Sequence, residues 1–277
     1  MSVQVPWLLG VDFSSAPTPR KPITLARGER RGASVWLDRV DACASLAEFA
    51  ARLAEPGPWL GAFDLPFGLP RELVETLRWP TEWAALMRHY RALGRDEVRA
   101  RFKAFCAAQP PGHKWVRRAC ERPAGSSPAM KWVNPPVALM LHAGAPLLLD
   151  AGVHLPGLHD GDRSRVALEG YPGLLARELI GARSYKADDR ARHTAARRAA
   201  ARRAARAELV DALEHGRTRL GLRLRLSPAQ CAELIDDAAG DRLDAVLCLM
   251  QAAWADGRPG WGLPPGIDPL EGWIVTA

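Results

Sequence analysis

Three acids stand where an apolar run gives way to a turn. Asp12 follows Trp7-Leu8-Leu9-Gly10-Val11, Asp64 follows Leu60-Gly61-Ala62-Phe63, and Glu169 follows Val166-Ala167-Leu168. A buried carboxylate is costly unless it is paired or holds a cation. Each acid therefore has two readings, a turn or capping residue or one ligand of a shared centre. A fourth acidic element is Gly240-Asp241-Arg242-Leu243-Asp244-Ala245. Asp241 and Asp244 lie three apart and share a helix face. They either complement the positive end of the helix dipole or reach toward the strand ends. Clustered carboxylates suit hard cations such as Mg2+ or Mn2+. Two such ions can activate water and stabilise the leaving oxygen of a phosphodiester. Lys186 is either an exposed lysine or a point charge for phosphate. Ser14-Ser15 reads first as a turn. Of the seven histidines, His113, His142, His154, His159 and His193 show no ligand spacing with one another. The five cysteines form no Cys-x-x-Cys pair, which argues against a zinc ribbon or a disulfide framework.

The elements that must position these acids alternate in type. Residues 7–15 read as a buried first strand, and not as a signal peptide, since they lack a basic leader and a small-residue cleavage site. Residues 22–30 and 33–40 read as two hairpin strands. Residues 45–55 read as a helix with Ser45 as N-cap, stopped by Pro56-Gly57-Pro58. Residues 58–70 form a second buried strand that ends in a proline-rich loop. Residues 71–147 are expected to be a helical insertion with proline- and glycine-rich joints, acting as a lid. Further on, the pattern predicts a strand over 164–170, a helix over 173–181 and one long helix over 187–216. It also predicts a helix pair or one bent helix over 227–257, and a last strand over 271–277. Early hairpins followed by strand–helix alternation predict an α/β fold: one domain over 1–277, with helices packed on both faces of a mixed sheet. Ligands of such sheets sit beyond the carboxyl ends of the strands.

Composition bounds the partners. Hydrophobic residues make up 48% and charged residues 25% of 277 positions, ordinary values for a globular chain. No apolar run is long enough to span a membrane, and the cysteine usage fits a reducing cytoplasm. The net charge of +7 comes from one segment, because 190–206 holds seven arginines and no acid. That Arg190–Arg206 helix is either a solvated face or a contact for nucleic acid. Ala196, Ala200, Ala204 and Ala207 form its expected packing stripe. Trp115 and Trp132, in the insertion, are read first as core, with base stacking as the alternative.

Taken in order, six motifs resemble one family. They are Val11-Asp12-Phe13-Ser14-Ser15, Phe63-Asp64-Leu65-Pro66-Phe67-Gly68, Glu169-Gly170-Tyr171-Pro172, Tyr185-Lys186, Asp241-Arg242-Leu243-Asp244-Ala245 and Glu271-Gly272-Trp273-Ile274. This order is similar to that of the DUF429 family, predicted nucleases of the ribonuclease H-like superfamily. The resemblance implies a ribonuclease H-like sheet whose first and fourth strands are neighbours, with Asp12 and Asp64 on them. It further implies a metal-dependent nuclease in which Asp12 bridges two ions while Asp64 and Asp244 each hold one. Glu169 is a further expected ligand, and Asp241 and Lys186 are further catalytic candidates. Two other functions remain open at this stage. One is a phosphoryl-transfer enzyme on the related sugar-kinase and actin-like core, although no glycine-rich nucleotide loop is evident. The other is a non-catalytic nucleic-acid-binding protein.

Overall fold

Side chains alternate between the two faces of a strand, so each strand here must satisfy two different cores. The computed structural model describes residues 6–186 and 195–277. Among the described residues, one sheet contains β1 (Trp7–Asp12), β2 (Ile23–Arg31), β3 (Ser34–Cys43), β4 (Trp59–Asp64), β5 (Val153–His154), β6 (Asp162–Glu169) and β7 (Arg223–Arg225). Their spatial order is β5-β6-β4-β1-β2-β3-β7. The expected hairpins are present as antiparallel pairs β1–β2 and β2–β3. The pairs β1–β4, β4–β6, β5–β6 and β3–β7 are parallel. The chain is thus α/β with a mixed sheet, and β1 and β4 are neighbours. The short edge strands β5 and β7 were not expected from the sequence.

Helices cover both faces. One core joins Val11, Ile23, Leu25, Trp59 and Phe63 to α1 (Leu46–Leu53), α2 (Arg71–Thr76), α3 (Trp83–Ala92), α4 (Arg95–Ala108) and α6 (Val137–Asp150), while the one-turn α5 (Glu121–Ala124) clusters with Ile274. The other joins Leu8, Ala26, Leu60, Ala62, Val166 and Leu168 to α7 (Pro172–Ile180), α8 (Ala195–Glu214), α9 (Pro228–Asp236) and α10 (Asp241–Asp256). Ser45 caps α1 as expected, with its hydroxyl accepting from the Glu48 N–H. The Glu48 carboxylate accepts in return from the Ala44 N–H, so two orphan donors are satisfied.

Several boundaries differ from expectation. The helical segment after β4 runs on to Asp150, because α6 is apolar through Leu147-Leu148-Leu149 and packs against the first core. Residues 227–257 form the expected helix pair and not one bent helix, separated where Gly240 takes a left-handed φ of 76° to open α10. Residues 271–277 make one bridge, Glu169 to Ile274, instead of a strand. On α8 the expected alanine stripe is wrong. Ala196, Ala200 and Ala204 are exposed, and the buried face is Ala205, Arg206, Leu209, Val210 and Leu213. The apolar residues of that helix lie in its second half, so only that half can be drawn onto the sheet. The start of the predicted helix, including Arg190 and Arg192, falls outside the described residues.

Backbone meets backbone where α10 crosses β1. A Cβ on Gly10 would lie 2.0 Å from the Ala245 carbonyl oxygen and 2.1 Å from the Leu249 nitrogen. The helix backbone therefore rests directly on the strand, which only glycine permits. Gly10→Ala should force the two apart and destabilise the protein by about 3 kcal/mol, at the upper end of typical overpacking costs. Gly94→Ala, where a Cβ meets nothing within 4 Å, should cost under about 1 kcal/mol. Urea midpoints of the two variants measure the difference.

Candidate metal centre

The parity of β1 and β4 aims two acids at α10. Leu8, Gly10 and Asp12 alternate on one face, and Leu60, Ala62 and Asp64 on the same face of the next strand. The register pairs Leu8 with Leu60, Gly10 with Ala62 and Asp12 with Asp64. Helix α10 lies across these residues. Its Ala245 and Leu249 rest on Gly10, which brings Asp244 to the carboxyl ends of both strands. The helix is apolar almost all round and buried along most of its length, so Asp244, only 1% exposed, is carried into the interior.

One carboxylate oxygen each from Asp12, Asp64 and Asp244 lies within 4.8 Å of the others. This is the convergence the sequence implied, although the residues are separated by 52 and 180 positions. Oxygen ligands at roughly 2.0–2.6 Å from one hard cation span such a spread, so the donor set fits a single divalent ion. The Tyr185 hydroxyl donates to Asp244 Oδ1 at 2.6 Å, and Lys186 Nζ pairs with Asp244 Oδ2. Asp241, at the first position of α10, lines the same cavity as Asp12, Asp64, Lys21 and Lys186. With all four carboxylates ionised against two ammonium groups, the set would carry two negative charges, the complement of a divalent cation.

The electrostatics follow from crowding and burial. Burial pushes the Asp12 carboxyl from its ordinary 3.8 up to about 8; Asp64 and Asp241 add to the rise, while Lys186 and Lys21 oppose it. Burial likewise raises Asp64 to about 6, with Lys186 opposing and Glu169 adding. Asp241 is raised by burial against the pull of Lys186. A bound cation would reverse these shifts by favouring the charged forms.

Glu169 lines the same cavity but lies outside the three-acid cluster. It stands one position out of phase with the other acids. Val166 and Leu168 belong to the α10 side, whereas Ala167 belongs to the opposite core. Glu169 pairs in register with Phe63, not with Asp64. Its carboxylate is accordingly taken by the insertion. Arg118 donates to both oxygens, at 2.7 and 2.5 Å, and the Phe67 N–H donates at 2.9 Å. Arg118 also donates to Glu121 and to the Glu271 carbonyl. Glu169 therefore ties the helical segment to the sheet and does not share the three-acid centre.

Some contributors were not visible in the sequence. Lys21 closes a tight turn in which it exchanges backbone hydrogen bonds with Thr18. Gln251, fully buried, accepts from the Tyr171 N–H and donates to Val275 O and Thr276 Oγ1. Arg206, the one arginine of α8 on its buried face, donates to the carbonyls of Tyr185 and Ile235. The basic helix thereby holds the Tyr185-Lys186 segment at the centre. Gly240 serves the same segment, since a Cβ there would meet Lys186 Cγ at 2.9 Å. Trp115 and Trp132 pack on each other at 4.7 Å between centroids and against the insertion's core. Among the described residues, no histidine joins a cluster with metal-ligand geometry. No helix among them is long and apolar enough to cross a membrane.

No family model, curated protein or solved structure matches this chain.

Two measurements check this description. Without metal, the folded protein holds a proton on Asp12 that the unfolded chain releases near pH 4. Stability from this group is therefore full below about pH 4 and is lost as pH rises through about 8. Asp12→Asn should remove that loss, so the variant should melt higher than wild type at pH 8 in chelator and equally at pH 4. The second concerns the buried ion pair. Arg118→Met leaves Glu169 and Glu121 without their partner, which should lower stability by roughly 3–5 kcal/mol in denaturant titrations.

Proposed function

We propose that this chain is a Mg2+- or Mn2+-dependent phosphodiester hydrolase of the ribonuclease H-like type. One observation carries the reading. Three carboxylates from distant parts of the chain meet at the carboxyl ends of adjacent parallel strands, where burial makes ionisation of Asp12 and Asp64 costly without a cation. Such an arrangement works against stability, which is expected of a site kept for chemistry. The sequence resemblance to the DUF429 family supports the same reading, as does the sheet order around β1 and β4.

In this reading Asp12, Asp64 and Asp244 hold the ion. When bound, the ion supplies a water of lowered pKa and charge stabilisation at phosphorus. The chain's own groups prepare the rest. Tyr185 fixes one oxygen of Asp244 and so the direction of its other lone pairs. Lys186 pairs with Asp244 in the metal-free protein; once a cation neutralises that acid, the ammonium group is available to a phosphate oxygen. Lys21 adds a second positive charge at the cavity. Asp241 stands at the rim as an acceptor for a water proton. Nucleic acid is the natural partner of such a centre, and the exposed arginines of α8, Arg197 and Arg198, would add salt-dependent affinity.

The test is Asp12→Asn, which keeps the shape and removes the charge. Wild type should gain thermal stability with added Mn2+ and cleave a phosphodiester substrate. The variant should fold, gain no stability from Mn2+ and cleave at background. Equal Mn2+ stabilisation of both proteins would overturn the assignment.

A further inference from the structure

The helical segment after β4 changes what the acid centre can reach. An enzyme that cuts within a duplex must receive a rod whose grooves are roughly 6 and 12 Å wide, and so needs an open cleft. Here Asp12, Asp64 and Asp241 line a cavity of about 320 Å³. That is at the small end of ligand pockets, roughly 300–1,000 Å³. Asp12, Asp64, Lys21 and Lys186 line one part of it, and residues of the segment between β4 and β5 line another. Pro135, Pro136, Val137 and Met140 give an apolar wall, and Ser126 and Ser127 give hydroxyls. The Ser126 hydroxyl is buried and has no hydrogen-bond partner among the described residues. A buried polar group without a partner calls for a ligand or water. The wall is held in place by the Arg118–Glu169 pair, 2% and 3% exposed, so it is part of the folded body.

We infer that this chamber takes one nucleotide unit, the terminal nucleotide of a single strand with the phosphodiester that links it to the strand or a free nucleotide, and excludes the interior of a duplex. The inference rests on the metal-centre reading above. The phosphate lies at the acids and lysines, the apolar face of the base or sugar lies on Pro136 and Val137, and Ser126 bonds a polar edge. In the reaction on a strand end, a water oxygen bonds to phosphorus and the phosphorus–oxygen bond to the rest of the strand breaks. The leaving alcohol takes up the proton released by the water, so a nucleoside monophosphate and a shortened strand result.

Calorimetry on the full chain tests this, first with Mn2+ alone. The Mn2+-loaded protein is then titrated with a nucleoside 5′-monophosphate, a free-ended single-stranded oligonucleotide, a closed circular single strand and a closed circular duplex. The monophosphate should bind, and both circles should bind at least about tenfold more weakly than the free-ended strand. Binding of the free-ended strand as well as the monophosphate identifies strand ends as the source; binding of the monophosphate alone identifies free nucleotides. Ser126→Ala should weaken monophosphate binding about fivefold, the size of one hydrogen bond. Val137→Trp should abolish it, and both variants should take up Mn2+ as wild type does. Circles that bind as well as free ends, or monophosphate binding unchanged in Val137→Trp, would overturn the inference and leave the metal centre standing. Failure of wild type to take up Mn2+ would remove the metal centre and the inference together.

Discussion

The contact between α10 and β1 at Gly10 is the constraint on which the site depends. Two backbones that touch cannot slide far, because no side chain cushions them. The helix therefore enters the sheet at one height, with Ala245 and Leu249 over Gly10. Asp244, one residue before Ala245, is fixed beyond the strand ends as a result. A larger residue at position 10 would lift the helix and move the third acid away from the first two. Packing here sets the chemistry, since the acids attract no one another and would separate if left free.

The same two-residue period that unites Asp12 and Asp64 divides them from Glu169. Asp12 and Asp64 are register partners on one face, whereas Glu169 is opposite Phe63 and faces the other core. The protein uses the two kinds of acid differently. The three aspartates gather without enough cations among the side chains, and burial pushes the carboxyls of Asp12 and Asp64 well above the usual carboxylate range. Glu169 is neutralised by a two-bond contact with Arg118 and anchors the segment that walls the cavity. Buried ion pairs of this kind often add little net stability, yet they fix geometry. The cavity's shape thus depends on an acid that stands outside the cluster.

The arginine-rich helix likewise divides its work. Arg206 is buried among backbone carbonyls and Arg203 pairs with Asp236, while Arg197 and Arg198 are exposed. Only the second half of α8 carries apolar residues that reach the core. A basic run in sequence is therefore not a uniform basic face, because burial selects some arginines for structural bonds and leaves others in water.

Much of this was legible in the chain itself. Apolar runs ending in Asp12, Asp64 and Glu169 are local signals, as are the Ser45 cap and the early hairpins. The Asp241-x-x-Asp244 spacing follows from helical geometry. These features depend on neighbours within a few residues, and sequence carries them directly. What tertiary structure alone decided was which acids meet. Strand register sets whether position 169 faces with position 64 or away from it, and register is a relation between segments more than a hundred residues apart. The partners of Glu169 lie in a segment without a recognisable motif, so Arg118 and Glu121 had no local mark. Arg206 and Gln251 gain their roles from burial, and burial of a polar side chain is decided by packing against distant elements. The Gly10 contact has the same origin. A glycine within a strand is visible in sequence, but the helix that requires it lies 235 positions away at Ala245.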